Sequence, residues 1–145
     1  QAIDYLEQAV ATVEPSPMTR QELATVHLNL GLLYSERKNP ARAEENLIRS
    51  VELRSRAVGA YHLGMLYFNQ ARFEEARHML EQAAGLVPPR YAPIRASLGA
   101  VYERLGDADR ARAEYSRYLE LALPNAPERT TVQQRLSALG GSRAN

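Results

Sequence analysis

The chain has 145 residues, 45% of them hydrophobic, enough for one domain with a continuous core. Its 18 basic and 17 acidic side chains leave a net charge of +1, a balance that specifies no nucleic acid or other polyanion as partner. The absence of cysteine excludes disulfides, thiolate nucleophiles and cysteine-ligated metals, and no run of about 18 apolar residues is present to cross a membrane. Lys38 is the lone lysine among the basic residues, an arginine bias that points to a GC-rich, bacterial genome and leaves the compartment unknown, cytoplasmic or periplasmic.

Gln1 to Val13 reads as one amphipathic helix with Ala2, Leu6 and Ala9 on a face, ended by Glu14, Pro15, Ser16 and Pro17. Thr19 and Glu22 stand at capping-box spacing and predict a helix start at about Thr19. That helix carries Val26, Leu30, Leu33 and Tyr34 and runs to near Lys38. Asn39 and Pro40 open the next helix, with proline where its missing N–H does no harm, and it runs to about Leu53. Arg54 to Arg56 is the bend into the central stretch from Ala57 to Pro88, two short amphipathic helices joined by a tight turn. Leu63, Leu66 and Tyr67 make the apolar face of the first; Phe73, Ala76, Leu80, Ala83 and Ala84 make that of the second. Gly64 sits mid-helix at a cost of about 1 kcal/mol relative to alanine, which calls for another backbone close by, opposite the small Ala76. Pro88 and Pro89 stop the second helix. A helix from about Tyr91 to Leu105 follows, then a turn at Gly106, a cap at Asp107 and a helix to about Leu121. After a loop from Leu123 to Pro127, Glu128 to Leu139 forms a last helix, with Val132, Leu136 and Leu139 on one side and Gln133, Gln134 and Arg135 on the other, ended by Gly140 and Gly141. Ser142 to Asn145 reads as a tail.

The central unit recurs on both sides. Leu30, Gly31 and Tyr34 precede Ala43 by the interval at which Leu63, Gly64 and Tyr67 precede Ala76, and Leu98, Gly99 and Tyr102 precede Ala111. A large residue follows each alanine (Leu47, Leu80, Tyr115), then Ser50, Ala83 or Tyr118, then Leu53, Leu86 or Leu121. The glycines are 33 and 35 residues apart, from 31 to 64 and from 64 to 99. This pattern resembles the tetratricopeptide repeat family over about Ala24 to Pro124. Where that family often has tryptophan one turn before the Leu-Gly pair, the chain has His27, Ala60 and Arg95.

The resemblance implies an all-α, right-handed solenoid of antiparallel helix pairs, a superhelix in one domain. Its expected parts are a half-repeat and linker (1–18), three repeats (19–56, 57–89 and 90–124) and a capping helix (125–141). An opening on half a repeat leads to the expectation of further repeats upstream.

Little in the sequence carries catalytic chemistry. His27 lies on an inter-helix face, where a packed, hydrogen-bonded role is expected. Glu75 and His78 have the Glu-x-x-His spacing of di-iron sites, which need a second such motif and more carboxylates. No nucleophile elbow, phosphate loop or paired-histidine zinc motif occurs, so no enzyme, metal or cofactor is expected. The arginines from Arg90 to Arg117 alternate with Glu103, Asp107, Asp109, Glu114 and Glu120, the pattern of an ion-paired surface and not of a nucleic-acid site.

What remains is a surface. The resemblance implies a concave groove lined by the first helix of each repeat and holding a peptide or helix of a partner protein. The exposed face of those helices is expected to comprise Thr25, Leu28, Asn29, Leu32 and Glu36, then Tyr61, His62, Met65, Phe68 and Asn69, then Arg95, Ala96, Ser97, Ala100 and Arg104. Leu28, Leu32, Tyr61, Met65 and Phe68 are too apolar for a face meant for water. Asn29, Asn69 and Tyr61 can hydrogen-bond a partner's backbone, and small Ala96, Ser97 and Ala100 leave room for a bulky group. The Lys, Asn and Arg clamp by which some family members hold chaperone tails is missing, its matching positions being Leu28, Leu32, His62, Pro93 and Ser97. The alternative reading is self-association as a homo-oligomer through the open edge at Tyr5, Leu6 and Ala9.

Overall fold

A computed structural model describes residues 1–12, 17–54 and 56–141. It is an all-α repeat solenoid of eight helices among those residues: α1 (Ala2–Thr12), α2 (Pro17–Glu36), α3 (Pro40–Leu53), α4 (Arg56–Asn69), α5 (Phe73–Leu86), α6 (Ala92–Arg104), α7 (Ala108–Leu121) and α8 (Arg129–Gly141). Helices pack most closely as the pairs α2/α3, α4/α5 and α6/α7, with α1 on α2 and α8 on α7 closing the stack. The alternate helices α2, α4 and α6 also touch, so they form one continuous face.

The repeated glycines explain the pairing. A Cβ on Gly64 would stand 2.8 Å from Leu80 Cγ and 3.3 Å from the carbonyl oxygen of Ala76. On Gly31 it would stand 2.6 Å from Leu47 Cγ and 3.3 Å from the Ala43 carbonyl oxygen. The partner helix comes this near only because alanine faces the glycine, and Ala43, Ala76 and Ala111 are all fully buried. Leu47, Leu80 and Tyr115 fill the next layer, so one core runs the length of the stack.

The turns within pairs share one geometry. Lys38, Ala71 and Gly106 each take a positive φ (55°, 59° and 80°), and the next residue's N–H donates back to the repeat tyrosine's carbonyl at 2.9 Å in all three. Asn39 and Asp107 then cap α3 and α7, accepting from the N–H groups of Arg42 and Arg110 at 3.3 and 3.1 Å.

Some boundaries differ from the sequence reading. The helix expected from Thr19 starts at Pro17, a first-turn proline whose missing N–H costs nothing there, and it ends at Glu36, before the left-handed Lys38. The α8 helix runs through Gly140 to Gly141, a position glycine disfavours but does not forbid, with Arg112 donating to the Leu139 carbonyl at 3.2 Å. The expected breaker residues 14–16, Ser55 in the bend and the tail from Ser142 lie outside the described residues.

Each repeat tyrosine is tied to the preceding pair. The Tyr67 ring lies under Arg72 at 4.1 Å and its hydroxyl donates to Glu44 at 2.9 Å. Tyr102 lies under Arg110 at 5.6 Å and donates to Glu81 at 2.7 Å. Tyr34 lies under Arg42 at 5.4 Å and donates to Glu7 of α1. Burial, and then the carboxylate, pushes the Tyr67 and Tyr102 phenols up to about 12.

Candidate functional site

The continuous face of α2, α4 and α6 carries two hollows that meet at Met65. The first, of about 510 Å³, lies between α2 and α4: Leu32, Met65 and Leu66 line its apolar part, with His62, Lys38 and Asn69 at its polar margin. The second, of about 240 Å³, lies between α4, α6 and α8: Tyr61, Met65, Ala96, Ala100 and Val132 line it, with Arg135 at the rim. Its space comes from small side chains on α6, where a larger residue at 96 or 100 would close it.

Helical spacing places these groups. Tyr61, Met65 and Phe68 follow one another at four and three residues along α4, on the side opposite the buried Leu63. His62 meets Tyr61 edge-on with centroids 5.3 Å apart, and burial pushes its imidazole below its ordinary value, so it enters the hollow neutral at pH 7. Ser97 donates to the Tyr61 hydroxyl at 3.5 Å, linking α6 to α4 across the floor.

Eight of the expected groove residues therefore sort into three groups. Leu32, His62, Met65 and Asn69 meet in the first hollow; Tyr61, Met65, Ala96 and Ala100 meet in the second. Phe68 turns to Phe73, with rings 5.6 Å apart, and Arg104 covers that pair at 5.8 and 4.5 Å. Of the remaining two on α2, Leu28 packs half-buried against the core and Asn29 is exposed.

Arg95 corrects the expected exposed face. It pairs with Glu114 of α7 at 3.2 Å, and both side chains are about four-fifths covered at 21% and 22% exposure. His27, at the matching place in α2, bonds Asn46 of α3 at 2.9 Å in the packed role expected of it. This register points into the helix pair, where the spacing of 19 residues is the same for both contacts.

The last helix also does more than cap. Val132 is buried at 3% exposure, while Thr131 and Arg135 extend the groove face beyond α6. Arg135, expected on the outer side, pairs with Glu103 at 3.0 Å because α8 sits where the first helix of another repeat would sit. Elsewhere Glu75 pairs with Arg72, and Arg95, Arg110, Arg112 and Arg117 each pair with a neighbouring carboxylate. Among the described residues no group of three or more metal-ligating side chains stands together, and no helix is long and apolar enough to cross a membrane.

Comparisons with known proteins agree with the repeat pattern. Two family models, each described as a tetratricopeptide repeat, match residues 22–88 and 61–127. The solved structure of MamA is similar at a TM-score of 0.73 and 26% identity, over 83% of this chain and 68% of that one. The first repeat domain of Spaghetti (RPAP3) bound to the HSP90 peptide SRMEEVD has a TM-score of 0.73 at 22% identity, over 84% of this chain and 96% of that one. The second domain of human RPAP3, in complex with the HSP70 peptide SGPTIEEVD, has a TM-score of 0.72 at 22% identity, over 86% and 98%. Among curated proteins, the human protein O-mannosyl-transferase TMTC1 is 33% identical over 84 residues; the match spans 58% of this chain and 9% of that protein.

Proposed function

The chain belongs to the tetratricopeptide repeat family, and we propose that it is a non-catalytic interaction scaffold whose groove holds an extended or helical segment of another protein. One observation carries this reading: two apolar hollows meet at Met65, each with polar groups on its rim. Met65 is the adaptable element between them, because its thioether repacks easily. Apolar anchors of the partner enter the two hollows, while Asn69 and the neutral His62 exchange hydrogen bonds with its backbone. Burial of those anchors supplies affinity, much offset by the ordering of the bound segment. Peptide-bound relatives of the same fold support a peptide ligand as a class, and they say nothing of which one. The transferase named by the human relative is not carried over, since the match spans 9% of that protein.

Selection from a random-peptide display library tests the groove, with wild type and Tyr61→Arg/Met65→Glu run in parallel and circular dichroism confirming that both are folded. Wild type should enrich peptides with a shared apolar pattern that the double variant fails to hold. Equal enrichment by both proteins, or none by either, refutes the groove.

One observation favours self-association as a second reading. No residue of α1 is fully buried, and Tyr5 is 73% exposed. Leu6 turns inward onto the core, so the substitution that tests this reading is Tyr5→Glu. Light scattering that shows a dimer in wild type and a monomer in that variant would establish it.

A further inference from the structure

Successive helices are antiparallel, so the α3–α4, α5–α6 and α7–α8 junctions lie together along one edge of the stack and the turns within pairs lie along the other. Six large apolar side chains stand out as exposed among the described residues, and four of them belong to the first edge: Val58 (51%), Leu86 (49%), Tyr91 (45%) and Leu123 (71%). Of the other two, Tyr5 lies in α1 and Ile48 within α3, so the turns within pairs have none, Phe73 and Leu105 there being half covered. Repetition at three successive junctions makes this a ridge, not a scatter of single residues.

The ridge is also cationic. Arg54, Arg56 and Arg90 stand exposed along it, their side chains outside every hydrogen bond and ion pair among the described residues. At these three junctions Glu52 is engaged by Arg49 at 3.1 Å, Glu120 by Arg117 at 2.8 Å, and Glu128 by the Tyr118 hydroxyl at 3.2 Å. Arg37 and Lys38 are exposed on the opposite edge, away from these four exposed apolar side chains. Leucine, valine and tyrosine interleaved with arginine is the composition that settles at the boundary of headgroups and acyl chains. Neither hollow of the groove includes any of these seven residues, and projecting side chains suit a headgroup layer where a peptide would need a concavity.

We propose that this edge rests on an anionic lipid surface, with Leu86, Tyr91 and Leu123 entering the interface and Arg54, Arg56 and Arg90 meeting the headgroups. The groove lies on a different face and stays open to a partner while the edge is docked.

Flotation with phosphatidylcholine vesicles, with and without phosphatidylglycerol, tests this on the whole chain. Wild type should bind the mixed vesicles and not phosphatidylcholine alone, and added salt should release it. Arg54→Gln/Arg56→Gln/Arg90→Gln should lower the partition coefficient about a hundredfold, at roughly fivefold for each arginine near such a surface. Leu86→Ser/Leu123→Ser should also lower it, with the folded circular dichroism spectrum kept because both side chains are exposed. Arg37→Gln/Lys38→Gln on the opposite edge, and the charge-neutral Tyr61→Arg/Met65→Glu in the groove, should leave it unchanged. Failure to bind mixed vesicles overturns the proposal, as does an equal loss from the charge variants of the two edges. Binding to poly-glutamate without binding to mixed vesicles assigns the ridge to an acidic protein and also overturns it.

Discussion

Gly64 and Gly85 are both helical glycines, and replacing each with alanine should move stability in opposite directions. In a helix interior alanine is favoured over glycine by about 1 kcal/mol. At Gly85 nothing lies within 4 Å of the new methyl group, so the substitution keeps part of that gain, about 0.5 kcal/mol so near the end of α5. At Gly64 the methyl would stand 2.8 Å from Leu80 Cγ and 3.3 Å from the Ala76 carbonyl oxygen. Leu80 is fully buried and has no room to retreat, and the carbonyl belongs to the α5 backbone. Overpacking of this kind costs about 1–3 kcal/mol, so the net effect is a loss of roughly 1 kcal/mol and a gap between the two variants of about 1.5 kcal/mol. Gly99→Ala should lose more, because its methyl would press on the Tyr115 ring, which is 1% exposed and tied by its hydroxyl to Glu103 at 2.7 Å. Urea denaturation followed by circular dichroism gives the ranking through its midpoints. If Gly64→Ala is as stable as Gly85→Ala, the close approach of α4 to α5 is not what holds this pair together.

Four other effects follow from named positions. The Ser50 hydroxyl is fully buried without a partner among the described residues, and Ala83 holds the matching place in α5, so Ser50→Ala should raise stability by about 1 kcal/mol in the same denaturation assay. Ala71 has φ 59° where the matching turn has Gly106, so Ala71→Gly should gain roughly 0.5–1 kcal/mol by relieving a left-handed strain that outweighs glycine's extra freedom when unfolded; an unchanged or lowered urea midpoint refutes it. The Tyr67 and Tyr102 phenols lie at about 12 in the folded chain against 10 ordinarily, so their contribution is whole below pH 10 and lost as pH rises through 12; Tyr67→Phe/Tyr102→Phe should flatten that alkaline decline in urea midpoints. At the acid end, the Arg72 hydrogen bond holds Glu44 below its ordinary 4.5, so its contribution is present above that pH and lost below it, and Glu44→Gln should weaken the acid decline.

The repeat register was legible because each of its residues answers a local demand: glycine where a backbone approaches, alanine opposite it, a large residue one turn on. Caps at Asn39 and Asp107 were legible for the same reason, since each side chain acts within its own turn. Legibility ends where a partner lies far along the chain. The sequence sets Arg95 beside Ala96 and Ser97 on the expected open face, yet Glu114, 19 residues away, draws it inward. The role of α8 in the groove was hidden in a similar way, because Arg135 looks like an outer polar residue until Glu103, 32 residues earlier, is seen beside it. The left-handed turns at Lys38 and Ala71 leave no mark in the sequence, because only Gly106 is the residue that such a conformation favours.

The tyrosine ties were the least legible feature, because their carboxylates do not keep register. Glu7 and Glu81 stand five residues after the helix alanines Ala2 and Ala76, whereas Glu44 stands one residue after Ala43. What repeats is the geometry: an arginine over the ring and a carboxylate on the hydroxyl, at every boundary between one pair and the next. Glycine and alanine hold helices within a pair, while these ties set how one pair sits on another. The helices that carry the tied tyrosines, α2, α4 and α6, are also those that line the groove, and Tyr67 is two residues beyond Met65 on α4. A tie that fixes Tyr67 to α3 therefore fixes Met65 relative to α2, and with it the width of the first hollow. In the proposed groove, a hollow held open in this way would give up less freedom when filled, which would add affinity without added contact area.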